Sequence, residues 1–139
     1  MANQAYASRY QLPDGRYARD IDTSFTVAAE DSGLVLNVVA ASVVVTLPAV
    51  ATQGVWTIRD GGVSATSGPD GAIVSAAVPT VDPNGSDTLA GLNVEGTEQD
   101  GKYVKNTGGN PGDEITIINT GATNGGLIAA TKGDWIFEA

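Results

Sequence analysis

Apolar residues in this chain fall in short runs rich in Val, Ile and Thr, and nowhere do they recur at three- and four-residue spacing over ten or more positions. The pattern predicts an all-β fold. Asp-Gly pairs starting at 14, 60, 70 and 100, and Asn-Gly pairs starting at 84 and 124, cut the chain into strand-sized pieces, because these dipeptides tolerate the positive φ of tight turns. Strands are expected over Ser24 to Ala28, Leu34 to Val39, Val43 to Leu47, Val55 to Arg59, Ala72 to Val78, Lys102 to Lys105, Glu114 to Asn119, Leu127 to Thr131 and Trp135 to Glu138. They suggest a single small antiparallel β-sandwich or a barrel-like domain.

Within the strands, the two-residue period assigns faces. Leu34, Leu36 and Val38 share one face, as do Val43, Val45 and Leu47, and the link Val39-Ala40-Ala41-Ser42 suits a hairpin whose pairing Pro48 ends. The opposite faces carry Val35, Val39 and Val44, so this pair of strands is expected to be buried on both sides. Either it lies at the centre of a barrel-like core, or Val35, Val39 and Val44 pack against another subunit. Trp56 and Ile58, like Trp135 and Phe137, alternate with residues of the other face, which makes both tryptophans expected core residues. From Val78 to Lys102 the chain is polar, with little pattern beyond Leu89, Leu92 and Val94, and reads as a surface excursion.

Residues 1–22 stand apart. They hold Tyr6, Tyr10, Tyr17, Arg9, Arg16 and Arg19, with a turn at Leu12-Pro13-Asp14-Gly15. Tyr and Arg are enriched where surfaces are buried between chains. The expectation is an extended N-terminal arm, residues 1–22, that docks on a partner through these six side chains, followed by a β domain over 23–139.

Sixteen acidic against seven basic side chains give the 139 residues a net charge of −9. Arg9, Arg16 and Arg19 cancel Asp14, Asp20 and Asp22, so the β domain carries all of it. Such a charge repels a phosphate backbone and an anionic bilayer surface, and neither nucleic acid nor membrane is an expected partner. The uncharged stretch from Leu34 to Ile58 is long enough to span a bilayer, but its Val and Thr content, with Asn37, Pro48 and Gly54 inside it, suits strands. The N-terminus lacks the apolar core of a secretory signal.

The chain has no Cys and no His, so disulfides, thiolate sites, the commonest zinc ligands and the commonest general base are missing. Gly96 to Lys102 imitates the start of a phosphate-binding loop, but Tyr103 stands where a Ser or Thr must meet magnesium, and Glu98 and Asp100 would repel phosphate. Asp82, Asn84, Ser86 and Asp87 cluster oxygen ligands as some calcium loops do. Gly85 falls one place early and no Glu closes the set, so the segment reads as a turn. Asp113 and Glu114 are adjacent and point to opposite faces of a strand, so they cannot form the facing carboxylate pair that glycoside hydrolysis needs. No Gly-x-Ser-x-Gly elbow is present. No catalytic residues, no cofactor and no metal are expected.

The string Glu30-Asp31-Ser32-Gly33-Leu34-Val35-Leu36-Asn37-Val38, followed by Val43-Val44-Val45-Thr46-Leu47-Pro48, resembles the opening pattern of small tailed-phage virion proteins. Gly85 to Gly91, Asp100 to Thr107, Gly112 to Ile117 and Lys132 to Trp135 continue the likeness in the same order, over roughly residues 23 to 139. Such chains are similar to head decoration, or cement, proteins: β-rich domains, often trimers, that lock neighbouring capsomers together. The resemblance implies a non-enzymatic virion structural protein on the outer capsid surface, with the major capsid protein as partner and a homotrimer as its form. Similar patterns occur in fibre-associated, receptor-binding domains. A glycan-binding module of that kind would need aromatic platforms, for which Trp56, Tyr103 and Trp135 are the large rings outside the arm.

Overall fold

The structure, a computed structural model, describes residues 9–62, 64–67, 73–75, 77–85, 87–91, 94, 102–121 and 125–138. Strands along these residues are β1 (Tyr10–Gln11), β2 (Tyr17–Ile21), β3 (Phe25–Thr26), β4 (Val35–Val38), β5 (Val44–Thr46), β6 (Gly54–Asp60) and β7 (Ser64–Ser67). They continue as β8 (Ile73–Ser75), β9 (Thr80–Asp82), β10 (Thr88–Ala90), β11 (Val104–Asn106), β12 (Glu114–Asn119), β13 (Gly125–Lys132) and β14 (Trp135–Phe137). One 3-10 turn spans Ala29–Asp31. The all-β class follows from the alternation: in β12, Ile115, Ile117 and Asn119 are buried while Glu114, Thr116 and Ile118 are half-buried.

Seven strands form the first sheet, in the order β1-β2-β4-β6-β12-β13-β10, and five form the second, in the order β14-β11-β9-β5-β3. A separate two-stranded ribbon joins β7 and β8. The two main sheets are open and mixed, which corrects both the barrel-like and the purely antiparallel expectation. Strands β2, β4 and β6 lie side by side and parallel in the first sheet, while β3, β5 and β9 do the same in the second. The N-terminal half is thus wound in coils that pass from one sheet to the other, and β11 to β14 complete the sheets with antiparallel pairs, apart from the parallel pairing of β13 with β10.

The hairpin expected between residues 34–39 and 43–47 is not formed, because β4 and β5 belong to different sheets. Between them the chain turns at Ser42, whose φ is +62°. The link is an arch between the two sheets. It sets Leu36 and Val38 on one wall of the core and Val45 and Leu47 on the other, all of them buried.

The core is made of aligned rungs. Phe137, Val104, Val81, Val45 and Phe25 run in register across the second sheet, and Leu36, Ile58 and Ile115 across the first. Fully burying each such aliphatic side chain contributes about 1.5–3 kcal/mol. Trp56 and Trp135 are buried as predicted, with 0% and 2% exposure, and Trp135 Nε1 donates to the Lys132 carbonyl at 3.0 Å.

Two other expectations change. The segment read as a surface excursion contains β9, the central strand of the second sheet, whose Val81 is fully buried, and β10, whose Leu89 enters the same core. With only three residues each, these strands carry one inward side chain and show no alternation. The expected arm is, over residues 10–21, an edge hairpin of the β domain: β1 pairs antiparallel with β2, and β2 parallel with β4. Ile21 enters the main core, while Leu12 and Ala18 close over Val35 on the outer face of the first sheet. Tyr6, Leu92, the stretch Gly96 to Gly101, Asp70-Gly71 and Asn124 lie outside the described residues.

Candidate binding face

Strand register carries one polar residue from each of five neighbouring strands into a single line on the outer face of the first sheet. Asp20 of β2 faces Asn37 of β4, Asn37 faces Arg59 of β6, Arg59 faces Glu114 of β12, and Glu114 faces Lys132 of β13. The N-terminal hairpin folds onto this line. Tyr10 Oη donates to Asp20 Oδ1 at 2.6 Å, and Asn37 Nδ2 donates to the same oxygen at 3.0 Å. Arg16 grips Glu114 with both terminal nitrogens at 3.0 and 2.8 Å, while its Nε donates to Asp14 at 2.8 Å. Arg59 Nε lies 3.9 Å from Glu114 Oε2.

The electrostatics follow from these contacts. Burial, and then the bond to Asp20, push the Tyr10 phenol above its ordinary range. The backbone amide of Arg16, and then its side chain, hold the Asp14 carboxyl below the usual carboxylate range. Glu114 raises the pKa of Arg16 further, which keeps that guanidinium charged.

The residues expected to dock on a partner separate into distinct roles. Arg19 points inward: its Nε lies 3.3 Å from Asp31 Oδ1 and its guanidinium carbon 4.8 Å from the Phe25 ring centroid, so it closes one end of the core. Arg9 Nη2 donates to the Glu30 carbonyl at 3.1 Å. Tyr10 and Tyr17 remain 39% and 56% exposed on the hairpin. Of the three valines expected at a subunit interface, Val35 is buried within the chain by Leu12 and Ala18 and has no area left for a partner. Val39 and Val44 are half-buried. The amide of Val39 donates to the Ile21 carbonyl, and that of Val44 to Ser24 Oγ.

Four residues along β6 and β12 from the polar line lies a feature the sequence reading missed. Val55 of β6 faces Ile118 of β12, which faces Leu127 of β13, and Val55 and Leu127 are 38% and 50% exposed. Between the two lines runs a rung of Thr57, Thr116 and Ala130, in which the two threonine hydroxyls are 2.9 Å apart. The signal was present in part, because each of the three apolar residues occupies the face opposite to a core position. Their neighbourhood needed the register.

Elsewhere the polar chemistry is taken up internally. Asp113 accepts from Asn106 Nδ2 at 3.0 Å on the side opposite to Glu114, so the two adjacent acids diverge as expected. Asp60 is fully buried and its Oδ1 accepts from Ser75 Oγ and from the Gly62 amide. Asp87 Oδ2 accepts the Val50 amide at 3.0 Å. Burial, and then Glu138, push the Asp82 carboxyl up. Among the described residues no group of three or more acids is gathered as metal ligands would be. No helix among them is long and apolar enough to cross a membrane. Comparisons with protein-family models, with curated proteins and with solved structures found no match.

Proposed function

We propose that the chain is a non-enzymatic structural protein of a tailed-phage virion, a decoration protein that binds the major capsid protein on the outer surface of the assembled head as a homotrimer. The resemblance in the sequence motivates this reading, and the observation that carries it is the presentation of Tyr10 and Tyr17. Both rings stay exposed on a hairpin that the pairing with β4 and the grip of Arg16 on Glu114 hold in place. Amphipathic rings on a pre-ordered support lose little conformational entropy on binding, which is what an interface anchor requires. The attachment surface then belongs to the β domain itself and not to a free arm.

A protein that binds the intact lattice and not separated subunits stabilises the lattice by mass action. The rival reading, a glycan-binding fibre module, is weakened by the burial of Trp56 and Trp135, which removes two of its three candidate platforms. Co-sedimentation with phage heads prepared without the protein tests the proposal. Binding that weakens about tenfold or more in Tyr17→Ala, roughly 1.4 kcal/mol, is the expected result. Failure to sediment with heads, together with retention on a glycan array, would replace the proposal with its rival.

A further inference from the structure

We infer that the outer face of the first sheet, centred on Val55, Ile118 and Leu127, is where copies of this chain pack against one another. The inference takes from the preceding reading only that the chain self-associates, and it moves the contact away from Val35, Val39 and Val44. Its first support is the alignment of the three side chains on adjacent strands β6, β12 and β13, beside a rung of Thr57, Thr116 and Ala130. Small and aliphatic side chains in that arrangement let a second surface approach closely. On the second sheet, among the described residues, the exposed large apolar side chain is Ile136, whose registered neighbour on the adjacent strand is Lys105.

The second support is charge, and it selects the occupant. The chain carries −9, so two copies repel over most of their surfaces. Along the polar line and the turn bonded to it, Arg16, Arg59 and Lys132 stand against Asp14, Asp20 and Glu114, three of each sign among the described residues. At physiological ionic strength charges beyond about 8 Å are largely screened, so the local balance decides whether copies can meet. The signs also alternate along the line, negative at Asp20, positive at Arg59, negative at Glu114 and positive at Lys132. A second copy turned about a two-fold axis between β6 and β12 can therefore set Arg59 against Glu114 and Glu114 against Arg59. A strongly acidic or basic partner would find no net attraction here, whereas an identical chain finds no net repulsion.

The test uses the full chain and substitutions at exposed positions. Sedimentation equilibrium is expected to show a multimer for the wild type, a dissociation constant raised tenfold or more in Val55→Lys and Leu127→Lys, and no change in Ile136→Lys. Because the chain has no cysteine, Leu127→Cys gives a second readout that does not depend on tolerating a charge. Its thiol should be protected from a maleimide at high protein concentration and labelled on dilution, while Ile136→Cys is labelled throughout. A wild type that is monomeric at micromolar concentration, or a Leu127→Cys thiol labelled equally fast at all concentrations, would overturn the inference. Loss of head binding in a chain that still forms the multimer would count against the decoration reading and leave this face intact.

Discussion

Arg16 and Glu114, 98 residues apart in sequence, are joined by two parallel hydrogen bonds of 3.0 and 2.8 Å. Fork-to-fork pairing of this kind fixes orientation as well as distance. It ties the turn of the N-terminal hairpin to β12, two strands beyond the β4 that β2 pairs with. The Arg16 side chain is 41% exposed and Glu114 18%, so screening limits its worth. Arg16→Ala is expected to cost about 1 kcal/mol in urea unfolding and to make the hairpin a preferred site of proteolysis.

Removal of residues 1–20 is expected to do far more. It takes away β1, most of β2 and the cover over Val35, leaving the edge of β4 unpaired. A loss of at least about 3 kcal/mol in thermal or urea melts is expected, because buried apolar contacts and a strand pairing go together. A truncated chain that melts like the full one would return these residues to the role of a free arm.

Tyr10 supplies a pH dependence. Its folded pKa lies above the ordinary phenol value of about 10. As pH climbs past that value the unfolded chain loses its proton first, so folding stability falls from there until the folded phenol also ionises. Comparing urea midpoints at neutral pH and near pH 11, Tyr10→Phe should lose less stability on alkalinisation than the wild type. An equal loss in both would show that Asp20 and burial do not hold the phenol proton.

Trp135→Ala is expected to destabilise the fold by roughly 3 to 5 kcal/mol, as a large cavity in a small core should. The ring is 2% exposed and its N–H is satisfied by Lys132. Loss of less than about 1 kcal/mol would contradict the core placement.

Gly133, in the β13–β14 turn, has φ of +85°, and a Cβ added there would collide with the Asp113 carboxylate. Gly133→Ala should therefore cost more than the roughly 1 kcal/mol of an unfavourable φ alone, because the carboxylate it displaces is the partner of buried Asn106. Melting of the variant beside Gly15→Ala, where φ is +93° and a Cβ meets nothing within 4 Å, separates the two contributions.

The sequence by itself determined the class of the fold and most of its inward side chains. Leu34, Leu36, Val38, Val43, Val45, Leu47, Trp56, Ile58, Trp135 and Phe137 are all buried, because a two-residue alternation is a local property that any pairing partner leaves unchanged. What only the tertiary structure decided was which strand each one pairs with. A hairpin and an arch between β4 and β5 place the same residues inward, and nothing local to residues 39–42 distinguishes them. The coils also differ in length: Ala18 aligns with Val35, seventeen residues on, but Val35 with Thr57, twenty-two on, so no fixed period marks the winding. Short strands such as Thr80–Asp82 and Tyr10–Gln11 acquire their conformation from the strands they pair with rather than from their own propensity. The line from Asp20 to Lys132 and the rung of Val55, Ile118 and Leu127 exist only once register is set, because each gathers residues that are remote in the chain and adjacent only across hydrogen-bonded strands.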